Sequence, residues 1–274
     1  MISASIPKTR TVFFSSDDRG LAVDHAGYPP GFRQANHIHA RASLTLTLRG
    51  SFEEKHGRAC ELAMPLSVVI KRPGVLHADV YGPDGCENLQ IRLPEDMELE
   101  EILPEEGSLK WHHRGGPAVA AFLSFAKLLA ERPRPGTPEI EFALHDVIAA
   151  IGPPTLPGGV PPRWLMRTKE HLDDSLPTAL PTLKQLGLEA GVHPVHLTRA
   201  FNRYFGCSVR AYLKGRRSQL AALHLARGSH RVTDVAHWLG FFDHPHLCRD
   251  FRSFASMSPK DFHALVRKLG ATTG

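Results

Sequence analysis

Long apolar runs are missing from this chain of 274 residues. No stretch of about 18 uninterrupted apolar residues occurs, so no membrane-spanning helix is expected. The first residues, MISASIPKTRTVFF, lack the basic start, apolar stretch and cleavage site of a secretory leader, and the expected compartment is the cytoplasm. Cysteine is scarce: Cys60, Cys86, Cys207 and Cys248 stand singly with no CxxC pair. That argues against both a disulfide scaffold and a cysteine zinc site. Absent too are a Ser/His/Asp or Cys/His constellation, a phosphate-cradling glycine loop and paired catalytic carboxylates, and the chain is not expected to be an enzyme. At 42% hydrophobic and 22% charged the composition is that of a globular protein, which excludes disorder throughout. The length predicts about two domains.

What is present is an uneven distribution of charge. Residues 1–162 carry 16 Lys and Arg against 20 Asp and Glu, a net −4. Residues 163–274 carry 17 against 8, a net +9, and the two parts sum to the +5 of the whole chain. A basic segment of that size attracts polyanions by releasing the counterions condensed on their phosphates. The change of sign falls at GPPTLPGGVPP, residues 152–162, where five prolines and three glycines in eleven positions forbid a helix or a central strand. This segment is expected to be a linker between a domain over 1–151 and another over 163–274.

The first domain is punctuated by Gly and Pro. Ser43-Leu44-Thr45-Leu46-Thr47-Leu48-Arg49 alternates with period two, which predicts a half-buried strand. Residues 66–72, 77–82 and 87–93 are further strand-like pieces, separated by Pro73-Gly74 and Pro83-Asp84-Gly85. Such short strands predict a barrel or sandwich. Residues 118–132 and 138–151 instead place Ala, Leu, Phe and Ile at helical spacing, two helices expected to pack on each other or on a second subunit.

The second domain reads as helical and repeats itself. LKQLGLEAGVHPVHLTRAFNRYFGCSVRAYL, from Leu183, realigns with VTDVAHWLGFFDHPHLCRDFRSFASMSPKDF, from Val232. Gly191 matches Gly240, Leu197 matches Leu247, Arg199 matches Arg249 and Phe201 matches Phe251. Each unit is a short amphipathic helix, a turn opened by glycine and a second helix, the form of a helix-turn-helix. Leu197/Phe201 and Leu247/Phe251, spaced i and i+4, are expected to bury the back of the second helix. The front then carries Val195, His196, Thr198, Arg199, Asn202 and Arg203 in one unit, and His244, His246, Cys248, Arg249 and Arg252 in the other. Most of these side chains hydrogen-bond to base edges or phosphates, which makes double-stranded DNA the expected partner.

These residues resemble the AraC/XylS transcriptional regulators over about residues 163–268. The most specific piece is the second unit: Ala236, Gly240-Phe241, Arg249-Asp250-Phe251 and Ser258-Pro259-Lys260-Asp261-Phe262 fall on the family signature. The resemblance implies two helix-turn-helix units joined by a long helix at about 208–226, with Arg210, Lys214, Arg216 and Arg217 available to the phosphate backbone. It also implies promoter binding, a homodimer and contact with RNA polymerase. The chain departs from the pattern at Gly187, where Ala is usual and a helical glycine costs up to about 1 kcal/mol. It departs again at His193, a poorer N-cap than Ser, and at Ala255, where Gly is usual.

The N-terminal half resembles a cupin barrel, the sensing domain of many such regulators. In GFRQANHIHARASLTLTLRG the residues Gly31, His37, His39 and Gly50 fall on the first cupin motif, with Ser43 where it has glutamate; Gly74 and His77 match the second motif. His37 and His39, two apart on a strand, share a face, and His77 joins them from a neighbouring strand. Three readings stay open for this trio: ligands of a divalent transition metal (Zn²⁺, Ni²⁺, Mn²⁺ or Fe²⁺), polar groups lining a pocket for a small organic effector, or satisfied core histidines. The expected fold is therefore α+β in two domains, a cupin-like β-barrel with flanking helices followed by an all-α domain of two helix-turn-helix units. The expected function is effector-responsive regulation of transcription; the alternative is a metal-dependent cupin oxygenase or isomerase with a helical appendage.

Overall fold

In a computed structural model of the chain, residues 9–15, 20–57, 59–95, 109–112, 115–132, 136–151, 161–176, 181–228 and 230–271 are described. The greater part of the expected linker, 152–160, lies outside them. Eight strands precede nine helices among the described residues: β1 (Thr9–Ser15), β2 (Ala22–Tyr28), β3 (Arg33–His37), β4 (Ser43–His56), β5 (Ala59–Ala63), β6 (Val68–Lys71), β7 (His77–Arg92) and β8 (Leu109–His112). These form one antiparallel sheet in the order β1-β2-β7-β4-β6-β8, with β3 on β7 and β5 on β4.

Two sequence expectations change here. The runs at 77–82 and 87–93 belong to one strand, β7, which continues through Pro83-Asp84-Gly85. The register with β4 breaks there, Gly50 pairing with Cys86 and Phe52 with Tyr81, and the strands approach closely at the break: a Cβ on Gly50 would collide with the Gly85 carbonyl, and Gly85 itself has φ 71°. The alternating run in β4 is also covered on both faces, Thr45 and Thr47 being buried along with Leu44, Leu46 and Leu48. Period two announced a solvated threonine face; the leucine face joins the core shared with helices α1 (Pro117–Glu131) and α6 (Val209–Arg227), and the threonine face is buried as well.

Around α6 stand α1, α2 (Thr137–Ile151), α3 (Arg163–Asp174), α4 (Leu183–Ala190), α5 (Pro194–Phe205), α7 (Val232–Trp238), α8 (His244–Ala255) and α9 (Pro259–Ala271). Local signals set their ends. Thr182 and Gln185 form a capping box on α4, and Gly191, Gly206 and Gly228 close α4, α5 and α6 in the left-handed conformation. Helix α8 ends on Ser256 at φ 56°, a left-handed residue with a side chain, so the position expected at Ala255 falls one residue later. The two helices α1 and α2 pack on each other, and α1 is enclosed further by α8 and α9. Phe122, Phe125 and Leu129 of α1 are fully buried, whereas Phe142 on the outer face of α2 is 76% exposed.

Candidate functional site

The two helix-turn-helix units are α4–α5 and α7–α8. In the first, Leu197 and Phe201 are wholly buried, while Arg199, Asn202 and Arg203 lie exposed on the opposite face of α5. The second repeats this division: Leu247 and Phe251 are buried, and His244, Arg249 and Arg252 are exposed on α8. His193 caps α5 through its own ring, Nδ1 accepting from the Val195 amide at 3.3 Å; Asp243 caps α8, its carboxylate accepting from the His246 amide at 2.6 Å. Pro194 and Pro245 sit in the first turns, where no intrahelical amide is lost.

Gly187 has a tertiary reason that helix propensity does not show. A Cβ there would stand 2.8 Å from the Val192 carbonyl oxygen and 3.2 Å from the Pro194 ring, so the turn before α5 closes directly over α4. The second unit has Ala236 at the corresponding place.

Not every expected contact residue is free for DNA. The Thr198 hydroxyl donates to the Pro194 carbonyl at 2.9 Å, and His196 lies against Trp164 with ring centroids 5.6 Å apart. The Cys248 thiol lies 3.4 Å from Nε2 of His244 one turn back on α8. His246 turns inward: its Nδ1 accepts from the Phe242 amide at 3.4 Å and its Nε2 stands 3.5 Å from Asp250. Asp250 also pairs with Lys214 at 3.0 Å. Thr198, Arg210, Lys214, Arg217, His246 and Asp250 thus line a cleft of about 700 Å³ between the two units. Burial lowers the pKa of Arg217, whose Nε is enclosed without a hydrogen-bond partner. Arg216 corrects the expected phosphate-binding set. It is buried, its Nε donating to Asp173 at 2.8 Å and its Nη1 to Gln219 at 2.9 Å.

The sheet brings His37, His39 and His77 together. His37 and His77 are register partners across β3 and β7. The amide of Gly74, in the turn before β7, donates to the His39 carbonyl at 2.9 Å and holds that backbone against the same turn. Ring centroids are 4.2 Å apart for His37–His77, 4.9 Å for His37–His39 and 5.1 Å for His39–His77. One nitrogen from each of the three lies within 4.8 Å of those of the other two. The Nδ1 atoms of His37 and His77 each stand 2.9 Å from a backbone carbonyl, of Ala35 and Val75. A carbonyl only accepts, so both Nδ1 atoms carry the hydrogen and both Nε2 atoms present a lone pair. Those Nε2 atoms are buried and have no hydrogen-bond partner.

Two carboxylates missed in the sequence stand beside them. Glu54 and Asp79 are cross-strand partners on β4 and β7, and they form a second ligand group with His77. Ser43 removes the carboxylate expected from the motif, and pairing of β4 with β7 supplies others from further along. No spacing rule points to Glu54, since its approach to His77 depends on the register of two long strands. Lys71 of β6 forms a buried ion pair with Glu54. Burial raises the pKa of Glu54 and of Asp79. Burial, reinforced by the Lys71 charge, brings His39 down to about 4 and His77 to about 2; burial lowers His37 likewise. Neutral imidazoles with bonded Nδ1 and open Nε2 are the form in which histidine binds a metal, and the residues fit a divalent transition ion.

Residues 186–264 match a family described as a helix-turn-helix domain. No curated protein matches the chain. Among solved structures, the chain is similar to an apo single-substitution variant of ToxT from Vibrio cholerae strain SCE256, at 12% identity, covering 90% of this chain and 97% of that one with a TM-score of 0.38. It is similar to ToxT of the same strain bound to an unsaturated fatty acid, at 11% identity, 95% and 98% coverage and a TM-score of 0.37. A transcriptional regulator with an AraC-type DNA-binding domain from Chromobacterium violaceum is 19% identical over 38% of this chain and 91% of its own, with a TM-score of 0.36.

Proposed function

We infer that the protein is a sequence-specific DNA-binding regulator of transcription of the AraC type, a reading supported by the match of residues 186–264 to a helix-turn-helix family. The observation that carries this is the duplicated division of α5 and α8 into a buried apolar back and an exposed front bearing Arg199, Asn202 and Arg203 or Arg249 and Arg252. The two recognition helices take successive major grooves of promoter DNA, while Arg210, Lys214 and Arg217 of the cleft between them meet the phosphates. Selection of bound sites from a random double-stranded DNA library by the full chain tests this. A defined site with two half-sites is expected; uniform, salt-sensitive binding to every sequence would overturn it.

The sheet domain, cupin-like in its histidine pattern, is the sensor, and its effector is a divalent transition metal. His37, His39 and His77 would hold the ion, with Glu54 and Asp79 beside it. The support is the pair of buried, unpartnered Nε2 atoms and the buried carboxylates, which attract a cation. Metal content by plasma mass spectrometry, for the wild type and a His37→Ala/His39→Ala variant, decides this. Stoichiometric metal lost in the variant is expected; metal-free wild type after exposure to Zn²⁺, Ni²⁺, Mn²⁺ and Fe²⁺ would return the trio to an organic pocket or the core. The enzyme alternative is not favoured, because the helical half is a DNA-binding domain. Two copies of the chain on one promoter, and contact with RNA polymerase, complete the proposal.

A further inference from the structure

The hydrophobic cores do not divide where the charge divides. One runs from the sheet through α1 and α2 into the second half of α6 and on through α7, α8 and α9, joining Leu46, Phe122, Leu225, Leu247 and Phe262. The other is confined to α3, α4, α5 and the first half of α6, where Leu165, Leu172, Leu186, Phe201 and Tyr212 meet. The second helix-turn-helix unit is therefore one body with the sheet. The Gly116 amide, just before α1, even donates to the Phe254 carbonyl of α8 at 3.0 Å. The first unit is a separate body, carried on α6.

Between the two cores α6 turns polar without becoming exposed: Gly215, Arg216, Ser218 and Gln219 are all buried there. A hydrogen-bonded chain crosses this belt. Gln219 Nε2 donates to Ser67 Oγ of the sheet domain at 2.9 Å, and Arg216 Nη1 donates to Gln219 Oε1 at 2.9 Å. Arg216 Nε then donates to Oδ1 of Asp173 on α3 at 2.8 Å, and the Tyr212 hydroxyl joins the same oxygen at 2.7 Å. Lys169 of α3 stands 3.9 Å from Glu61 of β5, a second tie from the first unit to the sheet.

At its sheet end the chain starts from a strained turn. The Ser67 amide donates to the Met64 carbonyl at 2.9 Å, closing a turn through Pro65 and Leu66, and Leu66 has φ 70° where glycine is usual. Strand β6 begins at the next residue and ends at Lys71, the partner of Glu54 beside His37 and His77. One short strand thus joins the histidine–carboxylate group to the Ser67 hydroxyl.

We propose that the Ser67–Gln219–Arg216–Asp173 chain couples the sensor to the first helix-turn-helix unit, setting how that unit is seated on the body formed by the sheet and the second unit. A cation in the histidine–carboxylate group competes with Lys71 for Glu54; displacement of Lys71 moves β6 and Ser67, and so changes the spacing of the two recognition helices. This deepens the reading above and rests on it for the effector. Buried hydrogen bonds suit the task because a displaced partner leaves a polar group unsatisfied, giving two distinct arrangements instead of a continuous slide.

The test compares the full-length wild type with Ser67→Ala, which breaks the chain at the sheet, and Asp173→Asn, which weakens it in α3 and leaves the turn intact. Hydrogen exchange without effector is expected to become about tenfold faster in α3, α4 and α5 of both variants, with α7, α8, α9 and β4 at wild-type protection. Wild-type protection of α3–α5 in both variants, or equal loosening of both helix-turn-helix units, would overturn the coupling. On the DNA site selected by the wild type, one extra base pair between the half-sites is expected to cost the wild type about tenfold in affinity and Ser67→Ala about threefold or less; equal losses would also overturn it. A wild type that selects no site would end the DNA-binding reading, and the exchange comparison would still decide the coupling.

Discussion

Lys214 and Arg216 are near neighbours on α6, yet α6 directs one into the cleft between the recognition helices and buries the other against Asp173 and Gln219. Their variants should separate accordingly. Arg210→Ala and Lys214→Ala each remove a phosphate contact and should reduce the slope of log K against log salt by about 0.9. Arg216→Ala should leave the slope unchanged and lower the melting temperature, because it removes the buried donor of the Gln219 amide oxygen and one of the donors of the Asp173 carboxylate. Salt titrations of binding and thermal melts check both. Among the outward residues, Arg199→Ala and Arg249→Ala should each weaken operator binding by about 1–3 kcal/mol and relax preference in one half-site, read by competition with mutated sites. The histidine trio sets a pH dependence. His37, His39 and His77 are all lowered from their ordinary value of 6.5, His39 to about 4 and His77 to about 2. Below 6.5 the unfolded chain takes up protons that the folded chain refuses, so stability falls as the pH is lowered from 6.5 towards 4. Melts of metal-free protein should show this loss, and His77→Asn should show less of it.

At the scale of the element, capping and turn chemistry follow local rules until tertiary contact overrides them. Gly187→Ala, a gain of up to about 1 kcal/mol by helix propensity, should instead destabilise the protein, because the new Cβ meets the Val192 carbonyl and the Pro194 ring. Ser256→Gly should stabilise by about 1 kcal/mol, since glycine adopts the left-handed conformation closing α8 without a side-chain penalty. Denaturant unfolding of the two variants gives opposite signs if this account holds. Helix α2, the repeated units and the glycine end of α4 were legible because periodicity and capping act within a few residues. The buried threonines of β4 and the joining of the two runs of β7 were not, since both depend on neighbours from distant parts of the chain.

For the whole molecule, the division of charge and the division of packing are different boundaries. Acidic and basic halves meet at about residue 162, but the larger core passes from the sheet into α6–α9 and leaves the first helix-turn-helix unit on its own. The sequence by itself determined the repeated helix-turn-helix pattern, the outward position of Arg199, Asn202, Arg203, Arg249 and Arg252 and the pairing of His37 with His39, because each depends on spacing along one helix or strand. Only the tertiary structure decided that Glu54 and Asp79 join His77, that Arg216 turns inward, and that the second unit shares a core with the sheet. Those outcomes rest on register between strands and on burial between segments far apart in the chain, where pairing and exclusion of water, not local periodicity, choose the neighbours.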